Sequence, residues 1–169
     1  MGTALLATKN IAEIGWGSEP QVWPSLHLGV PDEVVQVYLF TKTGDCMLFK
    51  RSEESGSFWG PVSGAVELSE RYVEAAARGL EEETNIVVSP DQIMLTDHNV
   101  TTFSPWGRYI KLITTFMFLP PSFNPNRVNL NRELSGYLIL GFEDACRLLE
   151  RHGLPEALEG IVSIYAGNN

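Results

Sequence analysis

The stretch from Gly64 to Ile86 holds six glutamates, Glu67, Glu70, Glu74, Glu81, Glu82 and Glu83, with Arg78 in their midst. A charge run of this kind is commonly a solvated helix face. Its spacing points to something more. At about 100° per residue, Glu74, Arg78 and Glu82 follow one another at i, i+4 and i+8 and share a face of a helix. Glu83 falls beside Glu82 at the edge of that face, and the loop from Ser63 to Glu70 can bring Glu67 and Glu70 back towards it. Carboxylates that converge repel one another unless cations bind. Hard divalent ions such as Mg²⁺ prefer oxygen ligands of this type and commonly bridge them to substrate phosphates.

The elements that must position these acids can be read from the flanking sequence. Residues 69–84 read as a helix, with Ser69 as N-cap, Val73, Ala76, Ala77 and Leu80 as its buried stripe, and Asn85 in the left-handed conformation at its end. Before it runs a Gly-rich loop, Gly56 to Gly64, and before that a hairpin. Glu33 to Thr41 and Cys46 to Lys50 are β-branched, aromatic and apolar stretches around the turn Lys42-Thr43-Gly44-Asp45. After the helix, residues 86–88, 93–103, 108–119 and 136–140 read as strands, with a Pro/Asn-rich loop over 120–131. Helices are expected at Phe142 to His152 and from Pro155 to Tyr165. This order implies an α/β fold, a mixed sheet with helices on its faces. Residues 1–31, punctuated by Gly and Pro, read as an N-terminal extension of a domain spanning 32–169.

The chain has 169 residues, 44% of them apolar, enough for one domain with a sizeable core. Its formal net charge of −9 disfavours binding to a nucleic-acid duplex. An anionic small ligand then calls for a metal cation between it and the acids. Cys46 and Cys146 make neither a zinc spacing nor a disulfide framework and read as reduced core thiols; His27, His98 and His152 show no ligand spacing. There is no signal-peptide pattern, and no run approaches the roughly 20 apolar residues of a membrane span. The expectation is a soluble cytoplasmic protein with no membrane partner.

The segment resembles the signature of the Nudix hydrolases: Gly, five residues, Glu, seven residues, Arg-Glu-apolar-x-Glu-Glu-x-Gly-apolar. Gly64, Glu70, Arg78, Leu80, Glu82, Glu83 and Ile86 fit that register without an insertion, and the approach Phe58-Trp59-Gly60-Pro61-Val62-Ser63 is also similar. So are the late segments Asn131-Arg132-Glu133-Leu134 and Phe142-Glu143-Asp144-Ala145. The resemblance covers roughly residues 33–150. It implies an α/β/α sandwich and a Mg²⁺-dependent hydrolase, with Mn²⁺ as the alternative metal, that cleaves the pyrophosphate of a nucleoside diphosphate linked to another group. By the same resemblance Glu82, Glu83 and the Ser63 carbonyl hold the metal, Arg78 pairs with Glu70, and Glu133 is the base or a further ligand. Arg51 is read as a phosphate contact or a surface salt bridge, and Phe58 and Trp59 as stacking residues for a base or as part of the core. Family members often form homodimers, so the resemblance allows one here.

Three positions depart from the signature. Gly79 stands where the family has a Glu, Gly136 where the late loop often has another, and Asn85 where the box ends in Gly. Asn tolerates the terminal conformation; Gly79 removes a carboxylate and costs about 0.5–1 kcal/mol in a helix interior relative to Ala. Two readings follow. The first is an active pyrophosphohydrolase. The second is a nucleotide-binding or regulatory module whose hydrolysis is weak or lost with the acid at position 79.

Overall fold

The computed structural model describes residues 32–103 and 108–167. The extension expected over 1–31, and His27 with it, lies outside the described residues. Seven strands follow in chain order: β1 (Asp32–Phe40), β2 (Cys46–Arg51), β3 (Trp59–Gly60), β4 (Val62–Ala65), β5 (Met94–Phe103), β6 (Tyr109–Phe118) and β7 (Leu134–Leu140). Helix α1 (Tyr72–Thr84) lies between β4 and β5, and α2 (Phe142–His152) and α3 (Pro155–Gly167) close the chain.

β1 is the centre. Along its whole length it pairs in parallel with β6, from Asp32 against Ile110 to Phe40 against Phe118. Its other edge is shared. β4 takes Val34 to Val37, and the hairpin partner β2 takes Leu39 and Phe40. β2 goes on to pair with β3 and β7, while β5 flanks β6 antiparallel. Helices cover both faces of a strand so placed, and it reads as an almost unbroken apolar run. Across this pairing the Thr115 hydroxyl donates to the buried Gln36 backbone carbonyl at 2.9 Å.

Alternation along β1 separates two cores. Val35, Val37 and Leu39 face α1, where Ala75, Ala76 and Leu80 meet them together with Met47, Phe49, Val62 and Ile113. Val34, Tyr38 and Phe40 face α2 and α3, packing with Leu48, Phe58, Ala145, Leu149, Ala157 and Ile161. The α/β/α sandwich expected from the sequence is the observed architecture. No helix among the described residues is long and apolar enough to cross a membrane.

Several expected boundaries move. Helix α1 starts at Tyr72 rather than Ser69, because Ser69 sits in a left-handed turn (φ 66°) and Arg71 is the N-cap. The Glu74 carboxylate accepts the Arg71 backbone N–H at 2.9 Å and its Nε–H at 2.9 Å, so Glu74 pairs with Arg71 and not with Arg78. Asn85 ends the helix with φ 58°, as its type suggested. The strand expected over 86–88 is absent. Val87 there is 71% exposed, and Ile86 and Val88 lend only their side chains to the α1-side core. Gly136 lies inside β7 opposite Lys50, past the end of the late loop.

Candidate active site

The end of β2 turns into a loop at Arg51, and this arginine does not reach solvent. It is 2% exposed on the α1 side of the sheet. One guanidinium nitrogen donates to Glu83 Oε1 at 2.9 Å, the other to Ser63 Oγ at 2.8 Å. Glu133 Oε2 stands 3.7 Å from the first. Arg51, expected as a phosphate contact or a surface salt bridge, is thus placed inside the site with its guanidinium against Glu83, Ser63 and Glu133.

Glu83 is buried at the last turn of α1, and its Oε2 atom has no hydrogen-bond partner. Burial pushes its carboxyl above the usual carboxylate range, and nearby Glu133 adds to the rise; Arg51 and the Ser63 backbone N–H oppose both. The late loop is docked on this end of the helix by its backbone. Asn129 N–H donates to the Thr84 carbonyl at 3.0 Å and Asn131 N–H to the Glu83 carbonyl at 2.9 Å, which satisfies acceptors that a helix C-terminus leaves open. The Asn131 side chain then accepts the Glu133 N–H at 2.9 Å, and the Ser52 N–H donates to the Glu133 carbonyl at 2.8 Å. Glu133 is thereby carried to the Arg51 cluster. Sequence reasoning did not single out Asn131; the Asn-rich stretch ahead of Glu133 was its signal.

A second arginine organises the loop between β4 and α1. Arg78 grips Glu70 with two parallel bonds, Nε to Oε1 and a terminal nitrogen to Oε2, each 2.9 Å. It also donates to the Ala65 carbonyl at 2.7 Å. Glu70 Oε2 in turn accepts the Glu67 N–H at 3.0 Å, which closes the loop on itself. Forked guanidinium–carboxylate pairs are the stronger and more directional kind, and here one sets the path of residues 65–70. Arg78 reaches Glu82 Oε2 at 3.3 Å, but that side chain is 60% exposed. The two glutamates expected to hold a metal thus divide between two arginines, Glu82 leaning on Arg78 and Glu83 on Arg51. Among the described residues no three His, Cys, Asp or Glu side chains converge as a ready ligand set.

The expected stacking residues are elsewhere. Phe58 is buried in the core under α2 and α3, with no face left for a base. Trp59 pairs with Lys50, packs half-buried against that same core and bridges to Gly153 at the end of α2. Strand alternation puts Arg51 on the other face, so both aromatic rings sit across the sheet from Glu83.

A family model described as the NUDIX domain matches residues 30–157. The chain belongs to the Nudix family. Solved structures share its fold at low identity. A Nudix hydrolase from Nitrosomonas europaea is 18% identical with a TM-score of 0.66, over 82% of this chain and 90% of that one. The Nudix domain of Shewanella oneidensis NrtR, solved with ADP ribose, is 16% identical with a TM-score of 0.65, over 83% and 90%. An Ap4A hydrolase from C. elegans, solved as a binary complex, is 21% identical with a TM-score of 0.58, over 80% and 97%. No curated protein matches the chain in sequence.

In this Nudix chain the position lacking its acid lies at the tightest seam of the box. A Cβ on Gly79 would stand 3.3 Å from Gly64 Cα and 3.5 Å from the Ser63 carbonyl oxygen. A side chain at 79 would therefore leave the helix beside the Ser63 carbonyl, after strand β4 had given way by a few tenths of an ångström at Gly64. At Gly136, by contrast, a Cβ would meet nothing within 4 Å.

The Nudix box has a pH signature of its own. Hydrogen bonds from Arg78 hold the Glu70 carboxyl below its usual range. A carboxyl lowered on folding adds stability above its unfolded value, and that contribution is lost as pH falls through the lowered one. Relative to a Glu70→Gln variant, the native chain is therefore expected to lose stability as pH falls below the ordinary glutamate value, and not above it. Denaturant midpoints measured in steps from neutral pH downwards check this; parallel curves for the two proteins would remove the Arg78–Glu70 fork as a folded-state contact.

Proposed function

We propose that this Nudix chain is a divalent-metal-dependent hydrolase that cleaves the pyrophosphate linkage of a nucleoside diphosphate joined to another group. One observation carries the reading: a fully buried carboxylate oxygen, Glu83 Oε2, has no partner and belongs to a cluster with Glu133 and Ser63. A buried acceptor without a hydrogen bond costs on the order of 1–3 kcal/mol, and a hard cation would satisfy it. Glu83, Glu82 and the Ser63 carbonyl are the residues assigned to Mg²⁺, with Mn²⁺ as the alternative. The metal, when bound, neutralises charge on the phosphoryl oxygens and acidifies a water.

The chain's own residues do the rest. Arg51 fixes the rotamer of Glu83 by taking only one of its two oxygens, leaving the second free to bind. Arg78 and Glu70 hold the loop carrying the Ala65 carbonyl. Glu133, half-buried and aligned by the Asn131 side chain, is the candidate to accept the proton of an attacking water or to add a further ligand. The second reading, a nucleotide-binding module with weak hydrolysis, is favoured by the empty place at Gly79, which leaves the cluster around Arg51 with two acids.

A panel of nucleoside triphosphates, dinucleoside polyphosphates, nucleotide sugars and ADP-ribose, assayed with Mg²⁺, Mn²⁺ and EDTA, separates the two. Metal-dependent cleavage of one class is the expected result. Thermal stabilisation by a nucleotide without cleavage would select the module. In the same assay Gly79→Glu, which places an acid beside the Ser63 carbonyl, is expected to raise the metal-dependent rate. An unchanged or lower rate would mean that the site works with the acids it already has.

A further inference from the structure

Strands β5 and β7 each pair on one side only among the described residues, β5 with β6 and β7 with β2, and the chain treats these two edges differently. A bare edge offers unpaired N–H and C=O groups to any other strand, and natural edges are blunted by bulges, charges or proline. β5 has such protection. Between its pairs Leu95–Thr115 and Asn99–Ile113, the residues Thr96, Asp97 and His98 oppose Thr114 alone, a bulge with an exposed acid in it. β7 has none. Its sequence, Leu-Ser-Gly-Tyr-Leu-Ile-Leu, holds no charge and no proline. Its one irregularity falls at its start, beside Ser135, and from Gly136 to Leu140 the ladder with β2 is regular. No further backbone hydrogen bond joins these five residues to any other described residue.

This edge is complementary to itself. Residues paired across a ladder share a sheet face, so Gly136, opposite Lys50, and Leu138, opposite the buried Leu48, both lie on the side of α2 and α3. Leu138 is 41% exposed and belongs to neither core. A Cβ on Gly136 would meet nothing within 4 Å. An apolar knob and an open gap thus stand two residues apart on one face. When two β7 strands run antiparallel about a two-fold axis through Tyr137, each Tyr137 faces its own copy, and Gly136 faces the partner's Leu138 at two equivalent places. The knob of one copy then fills the gap of the other. The net charge of −9 keeps copies of this chain apart in general, and the uncharged β7 is where they can meet.

We propose that the free edge of β7 is the interface of a homodimer, in which two copies of the chain join antiparallel β7 strands centred on Tyr137 into one continuous sheet. Leu138 of each copy sits over Gly136 of the other.

Sedimentation velocity on the full chain over a concentration series tests this. The native protein is expected to move from the chain mass of 18.8 kDa towards twice that mass as its concentration rises to about 0.1 mM, the weak association that a short interface supports. Gly136→Leu sets leucine against leucine, and Leu138→Gly sets gap against gap. Each variant alone should associate at least about tenfold more weakly, the loss expected at a central apolar contact. Mixed in equal amounts, the two should dimerise as the native chain does, because each supplies at both contacts what the other lacks. Should Leu138→Gly fail to fold, Leu138→Ala takes its place in the mixture. A native chain that stays monomeric throughout, a dimer that persists in either single variant, or a mixture no tighter than its components would overturn the proposal.

Discussion

Arg51→Ala is expected to destabilise the fold by about 3–5 kcal/mol, the usual cost of removing one partner from a buried ion pair. Three residues lose their contact at once. Glu83 keeps a buried charge without its cation, Ser63 Oγ loses its donor, and Glu133 loses the cation that draws it to the cluster. Arg51→Lys should recover only part of the loss, because a single ammonium cannot reach Glu83 and Ser63 with the fork geometry of a guanidinium. The sign of the pH dependence is fixed too. Burial already holds the Glu83 carboxyl above its usual range, and it goes higher once Arg51 is gone. Below that raised value the group is neutral and nothing is left uncompensated, so the deficit of Arg51→Ala should shrink as pH falls. Urea unfolding of the three proteins at neutral and mildly acidic pH measures this. A neutral-pH deficit under about 1 kcal/mol would mean that the pair is solvated after all.

Glu83→Gln should give the largest effect on activity, a loss of metal-dependent turnover of at least about 100-fold, since removing even a supporting group of a metal site costs 10–100-fold. The amide keeps the shape of the side chain and can still accept from Arg51, but its remaining free atom no longer carries charge for a cation. Glu82→Gln is expected to abolish turnover as well, with a different companion effect. Glu82 is exposed and held only at 3.3 Å by Arg78, so its loss should leave stability unchanged. Rates measured beside Mg²⁺ titration calorimetry distinguish the two variants. Native-like turnover in Glu83→Gln would remove this carboxylate from the reaction, and native-like turnover in Glu82→Gln would do the same for its neighbour.

What the sequence disclosed was what short-range pattern encodes. The β1–β2 hairpin, the limits of α2 and the left-handed Asn85 all follow from residues within one turn or strand of each other, and the box was legible through its resemblance to the Nudix signature. What it concealed was decided by distant partners. Arg51 looked like any arginine after a strand; its burial depends on Glu83, 32 residues on, arriving at the same place. Phe58 and Trp59 stood in a Gly-rich loop beside the box, yet the pairing of Trp59 with Lys50 puts that ring on the opposite face, a matter of strand parity that no local pattern carries. Ser69 has the type of an N-cap, but its positive φ delays the helix until Tyr72. The late loop reaches the end of α1 through backbone hydrogen bonds, for which side-chain identity gives little signal.

The full-length parallel pairing of β1 with β6 has a consequence for how the chain acquires this structure. Partners across that ladder stand 78 residues apart, and the loop between them must close before a single one of its hydrogen bonds forms. The entropy of that closure grows only slowly with length, but it falls early, and domains rich in such distant contacts fold slowly. During synthesis the β1–β2 hairpin, β4 and α1 can assemble as soon as they emerge. β1 then waits with one edge open until residue 118 is made, a long and largely apolar edge of the kind that invites pairing with another chain. The nascent protein is expected to be most prone to aggregate in that interval, and fragments ending before Tyr109 should be less soluble than those that extend past Phe118.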